Sequence, residues 1–132
     1  MHTRIEWVRQ SCRLLSSIAT EFASSRPFDG LTIGTGIHLE PKTVALILTL
    51  QAGGARLVST GNLNTTQQSA IDYLRAHGVT VVGGPTSDRD EHMRHLSGVI
   101  EAKPDLILDN GGDLFDLFLA NRYAALRGGT EE

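Results

Sequence analysis

Apolar positions open the chain in a helical rhythm. Ile5, Val8, Cys12, Leu15, Ala19 and Phe22 step by three or four, which predicts one helix over about residues 3–24 with a single inward stripe. Pro27 and the Asp29-Gly30 pair end it. From residue 31 the rhythm changes. Short runs rich in Leu, Ile and Val at 31–34, 55–59, 79–82 and 106–108 predict strands. Between and after them, 41–52, 65–77, 87–102 and 112–123 predict helices. Pro41 suits a first helical turn, Asn64 or Thr65 a cap, and Gly53-Gly54 and Gly78 suit stops. Pro104-Asp105 turns the chain into the fourth strand. Four βα units over 31–124 imply a parallel sheet of about four strands with helices on both faces. The expected fold is therefore α/β, a three-layer αβα arrangement of Rossmann-like or flavodoxin-like kind, forming one domain over 1–132.

In an open parallel sheet, ligands bind beyond the carboxyl ends of the strands. Loops 35–39, 60–64, 83–86 and 109–113 leave that edge. The first carries Gly34-Thr35-Gly36-Ile37-His38, a GxG without the third glycine of a dinucleotide fingerprint. Its glycines serve a tight turn or approach a phosphate, and the missing third glycine favours the turn. His38 falls at a helix entrance, where it caps the helix or orients a ligand hydroxyl and shuttles a proton. The last loop, Asp109-Asn110-Gly111-Gly112-Asp113, is the most distinctive. Two glycines permit unusual backbone angles and close approach of a ligand. A turn with a capping Asp explains the same residues.

Composition narrows the classes. With 40% hydrophobic and 20% charged residues in 132, the chain is globular rather than disordered. A net charge of -3 leaves no basic face for nucleic acid or anionic lipid. No metal site is expected, because no Cys/His cluster has zinc spacing. The lone Cys12 is expected as a buried thiol. No targeting segment or membrane-length apolar run is visible, so a cytoplasmic protein is expected.

Three stretches, taken in order, resemble one family. They are His38-Leu39-Glu40-Pro41-Lys42-Thr43, Asn62-Leu63-Asn64-Thr65-Thr66-Gln67 and Asp109-Asn110-Gly111-Gly112-Asp113. Ile5-Glu6-Trp7 and Gly53-Gly54-Ala55 fit as well, so the similarity runs collinearly over about residues 4–132. The family is S-adenosylhomocysteine hydrolase. The resemblance implies that this stretch is the front of the substrate domain, with NAD held by a further domain that these residues do not include. NAD in that family transiently oxidises the ribose 3′-hydroxyl, which allows homocysteine to be eliminated.

The resemblance also assigns residues. It implies catalytic positions at His38, Asn110 and Glu132, and substrate contacts from Glu40, Lys42, Thr43, Asn62, Thr66, Gln67, Asp109 and Asp113. Glu40, Lys42 and Thr43 would lie near the purine. Asn110 stands where the family has a carboxylate, and an amide cannot act as a general base. The expected ligand is a nucleoside or nucleoside thioether, the expected partner a chain carrying the NAD domain, and self-association is expected. The alternative is a non-catalytic binding or regulatory module, or a relative recruited to other nucleoside chemistry. Phe115, Leu117 and Phe118 either face the core or form a surface patch for such association.

Overall fold

The computed structural model of the chain describes residues 2–132. Its helices are α1 (His2–Ser11), α2 (Arg13–Ser25), α3 (Pro41–Ala52), α4 (Gln68–Ala76), α5 (Arg89–Glu101) and α6 (Asp113–Ala120). Its strands are β1 (Thr32–Gly36), β2 (Arg56–Thr60), β3 (Thr80–Val81), β4 (Leu106–Asp109) and β5 (Gly128–Glu131). The strands form one parallel sheet in the order β3-β2-β1-β4-β5. The chain winds outward from β1 in one direction, then crosses back to β4. The strand order thus reverses between β1 and β4, and a crevice opens there above the carboxyl ends.

Alternation along the strands builds two cores. Ile33 and Leu57 point to one face, where Val44, Ile47 and Leu48 of α3 and Ala70, Ile71 and Leu74 of α4 cover them. Val58 and Ile107 point to the other, under Leu96, Val99 and Ile100 of α5 and Leu114 of α6. The helices α1 and α2 lie outside α3 as a further layer, and Ile5 of α1 reaches the first core.

Several details depart from the sequence expectation. The single N-terminal helix is broken at Cys12, whose φ of -81° and ψ of 71° are not helical. The Ser16 hydroxyl donates to the Arg9 carbonyl at 2.9 Å, occupying an acceptor that a continuous helix would offer to residue 13. Cys12 is half-buried there rather than buried. The helix expected from Thr65 begins at Gln68, because Asn64 adopts a left-handed φ of 66° and Thr66 turns its hydroxyl onto the Asn62 carbonyl.

A further departure is the fifth strand, β5, which pairs with β4 from Leu106↔Gly128 to Asp109↔Glu131. Of the two placements expected for Phe115, Leu117 and Phe118, the structure takes the inward one, packing them against the second core. Phe115 lies so close to β5 that a methyl group on Gly129 would collide with its ring. The large apolar side chains that do reach solvent are Leu14 at 75%, Trp7 at 65% and Leu119 at 54%.

Gly34 and Gly36 serve this packing. Both lie within β1, not in a turn, and both point to the face carrying α5 and α6. A Cβ on Gly34 would meet Pro104 and Val99, and one on Gly36 would meet Leu114 and Leu96, at 2.8–3.1 Å. The small residues let both helices sit close to the strand.

Candidate functional site

Residues from three strand ends converge at the crevice. His38 follows β1, Asn62 follows β2, and Asn110 follows β4. The Asn62 Nδ2 lies 3.3 Å from His38 Nε2 and donates to Asn110 Oδ1 at 3.3 Å. One amide nitrogen therefore uses both of its protons to bridge the two loops. This arrangement makes His38 Nε2 the acceptor and places its proton on Nδ1, which lies 2.7 Å from Thr65 Oγ1. With Leu63, Arg89, His92, Gly111 and Asp113, these side chains line an open cleft of about 280 Å³.

The Asp109–Asp113 loop is shaped by its first residue. Asp109 is fully buried, and its carboxylate accepts from the Asn110 amide at 2.8 Å and the Phe115 amide at 3.1 Å. Burial pushes its pKa up, and the hydrogen bonds from the backbone oppose that shift. The carboxylate is thus occupied with the loop's own amides and the start of α6. Gly111 and Gly112 both have φ of +84°, with nothing within 4 Å of where a Cβ would sit. Their backbone faces open space that a ligand can enter. Glu131 on β5 accepts from the Gly111 amide, and Glu132 donates its amide to the Asp109 carbonyl at 2.8 Å.

The remaining expected residues take different places. Thr43 is buried, and its hydroxyl engages the backbone of His38 and Glu40 at the start of α3. Glu40 caps that helix and lies 3.5 Å from the exposed Lys42 ammonium. Thr66 binds the Asn62 carbonyl at 2.9 Å and so holds the loop that presents the bridging amide. Gln67 caps α4 with its side chain exposed, and Glu132 is also exposed. The structure thus gathers His38, Asn62, Asn110 and Asp113 around one cleft. Glu40 and Lys42 sit at the helix entrance, and Thr43, Thr66 and Asp109 support the loops.

Two lining residues escaped the sequence reading. Arg89 reads as one charge among many at the start of α5. His92 looks like part of a charged run, yet it falls four residues before Leu96 and seven before Val99, on the stripe that α5 buries. That spacing was the available signal.

The GxG of β1 does not form a dinucleotide cradle. The space beside both glycines is filled by Pro104, Val99, Leu114 and Leu96. Among the described residues no three His, Cys, Asp or Glu side chains gather as a metal-binding group, and no helix is long and apolar enough to cross a membrane.

The fold and the cleft define an α/β domain with a polar, ligand-sized crevice at its topological switch point. The model of the S-adenosyl-L-homocysteine hydrolase family matches residues 2–127. The chain belongs to that family. It is 41% identical over 112 residues to the adenosylhomocysteinase of Thermotoga maritima, covering 84% of this chain and 28% of that protein. It is 37% identical over 135 residues to the S-inosyl-L-homocysteine hydrolase of Methanococcus maripaludis, covering 99% of this chain and 32% of that protein. The adenosylhomocysteinase of Archaeoglobus fulgidus is 34% identical over 133 residues, covering 98% and 33% respectively. The chain thus spans about a third or less of the curated relatives it matches.

Proposed function

We propose that these residues form the substrate-binding segment for a purine-nucleoside thioether of homocysteine, as the hydrolase family requires. The observation that carries the reading is the Asn62 bridge between His38 and Asn110, which holds two strand-end loops around one cleft. Neutral amides and an imidazole at such an edge suit a sugar, which presents hydroxyl donors and acceptors. Similar proteins are named for both the adenosyl and the inosyl thioether, so the shared part is the ribosyl-homocysteine and the base is open.

The NAD step of the family is proposed to depend on residues beyond those present, because the GxG here is packed shut. His38 would hold the sugar side, with its proton kept on Nδ1 by the Asn62 bridge. Asn110 can orient a ligand but cannot take a proton from it, which favours a binding role over turnover for this segment alone.

Calorimetry of the 132-residue chain tests the reading. Adenosine, inosine and S-adenosylhomocysteine are the probes, and Asn62→Ala is the variant. Binding of a nucleoside that weakens about tenfold in the variant supports it, as expected for losing hydrogen bonds that position the site. Absence of heat with all three probes overturns it. With NAD added, the chain alone is expected to release no homocysteine, and measured release would refute that part.

A further inference from the structure

The chain holds four asparagines, Asn62, Asn64, Asn110 and Asn121, followed by Leu63, Thr65, Gly111 and Arg122. The following residue decides one reaction. The backbone nitrogen of that residue attacks the asparagine side-chain carbonyl and closes a five-membered ring, and a side chain on it crowds the approach. Glycine has none. Gly111 is exposed, and nothing lies within 4 Å of where its Cβ would sit. Asn110 is therefore the asparagine that the sequence leaves open to ring closure.

The fold supplies the rest of the chemistry. Ring closure must take the proton from the Gly111 amide, hold negative charge on the Asn110 side-chain oxygen, and let the side-chain nitrogen leave. Each requirement meets a group. The in-register pairing Asp109↔Glu131 brings β5 beside the loop, and the Glu131 Oε1 accepts the Gly111 N–H. Most backbone amides donate to a carbonyl, which is too weak a base to take the proton; this one donates to a carboxylate. Asn62 Nδ2 donates to Asn110 Oδ1 at 3.3 Å, where the charge develops. Asn110 Nδ2 makes no hydrogen bond to any described residue, so nothing holds the leaving group.

We propose that Asn110 is a self-deamidation site, with Glu131 as the general base and Asn62 as the donor to the developing oxyanion. Glu131 takes the Gly111 amide proton as the nitrogen forms a bond to Asn110 Cγ. The tetrahedral carbon then expels the side-chain nitrogen, which leaves as ammonia with the proton returned by Glu131. Water opens the resulting succinimide. Breaking the bond from Gly111 N to Cγ gives aspartate on an unchanged backbone, and breaking the bond to the main-chain carbonyl carbon gives isoaspartate. One water is consumed, one ammonia is released, and nothing is oxidised or reduced. The formal net charge of -3 falls by one. An amide that orients a ligand becomes a carboxylate that can accept a proton in the cleft. The inference does not depend on which ligand the cleft takes.

The test incubates the freshly purified 132-residue chain in neutral buffer, folded and in urea above its unfolding midpoint. Intact mass spectrometry reads the exchange of NH2 for OH, and peptide mapping places it. Deamidation is expected at Asn110, faster in the folded chain than in the unfolded one, with Asn62, Asn64 and Asn121 unchanged. Isoaspartate among the products marks the ring; aspartate alone would mean direct hydrolysis by water and would overturn the step. Glu131→Gln is expected to slow the folded-state rate by about a hundredfold, the lower end of a general-base contribution. Asn62→Ala is expected to slow it by about tenfold, less than a buried oxyanion donor supplies. Glu131 is exposed, so its variant keeps the fold and decides the sign. A carboxylate that only clamped the loop would free it on removal and speed the reaction. An Asn110 that stays intact, a folded chain slower than the unfolded one, or a Glu131→Gln chain as fast as the parent overturns the proposal.

Discussion

Replacing Gly111 or Gly112 with alanine isolates the backbone contribution to the cleft loop. Both residues have φ of +84°, and no atom lies within 4 Å of a built Cβ. A methyl group there meets no steric contact, so any cost comes from the left-handed conformation itself. That conformation costs an L-residue roughly 1–2 kcal/mol. Gly128 supplies the control, since it also has open space around the built Cβ but no left-handed φ. Its alanine variant is expected to stay within about 0.5 kcal/mol of the parent.

With a urea slope of about 1–3 kcal/mol per molar, each loop variant should lower the unfolding midpoint by ~0.3–2 M. Urea titration followed by circular dichroism reads the shift. Gly112→Asn should recover part of the loss, because asparagine tolerates the left-handed region. If Gly111→Ala and Gly128→Ala melt alike, the loop is not held left-handed in solution, and its shape cannot be credited to these glycines.

Other outcomes follow from the same geometry. Asp109→Ala leaves the Asn110 and Phe115 amides without their acceptor and should cost at least ~2 kcal/mol; a loss under half of that in urea titration would show that another group takes over. The His92 pKa is lowered in the folded chain below 6.5, so its contribution to stability is full above that value. It is lost as pH falls through 6.5 toward the folded pKa. His92→Phe should therefore flatten the fall of the urea midpoint with acid, and an unchanged slope would refute the assignment. Asp109 works in the opposite sense. Its raised pKa means that stability falls as pH rises from 3.8 through the folded value, so weakening of the fold by mild acid should not originate there. Asn110→Asp keeps the acceptor for Asn62 and should leave the midpoint nearly unchanged; a loss beyond about 1 kcal/mol would mean the charge is not tolerated in the cleft.

The layered α/β architecture was legible because strands and helices announce themselves by different apolar rhythms, and α3, with Pro41 at its start and Gly53 at its stop, has the bounds expected of it. β5 was not legible. Gly128-Gly129-Thr130-Glu131 has no apolar residue, and its pairing is set by β4 and by the close approach of Phe115. The break at Cys12 was hidden for a related reason. The apolar stripe continues across it, and the interruption comes from a seven-residue contact between Ser16 and Arg9. In the site, motifs pointed to His38, Asn62 and Asn110 separately. Their common bridge depends on strand order, which brings β1 and β4 side by side although residues 36 and 106 are distant in sequence. His92 was obscured by charged neighbours on both sides.

The in-register pairing of β5 has a consequence for how ligand affinity is set. Glu131 reaches the Gly111 amide, and Glu132 pairs with the Asp109 carbonyl, so the sheet edge fastens the start of the cleft loop. Ordering that loop is then settled during folding, and an arriving ligand does not lose affinity to it. Two glycines that would otherwise make the loop a floppy receptor become a preshaped one. A substitution in β5 that touches no ligand atom would, by this route, register as weaker binding.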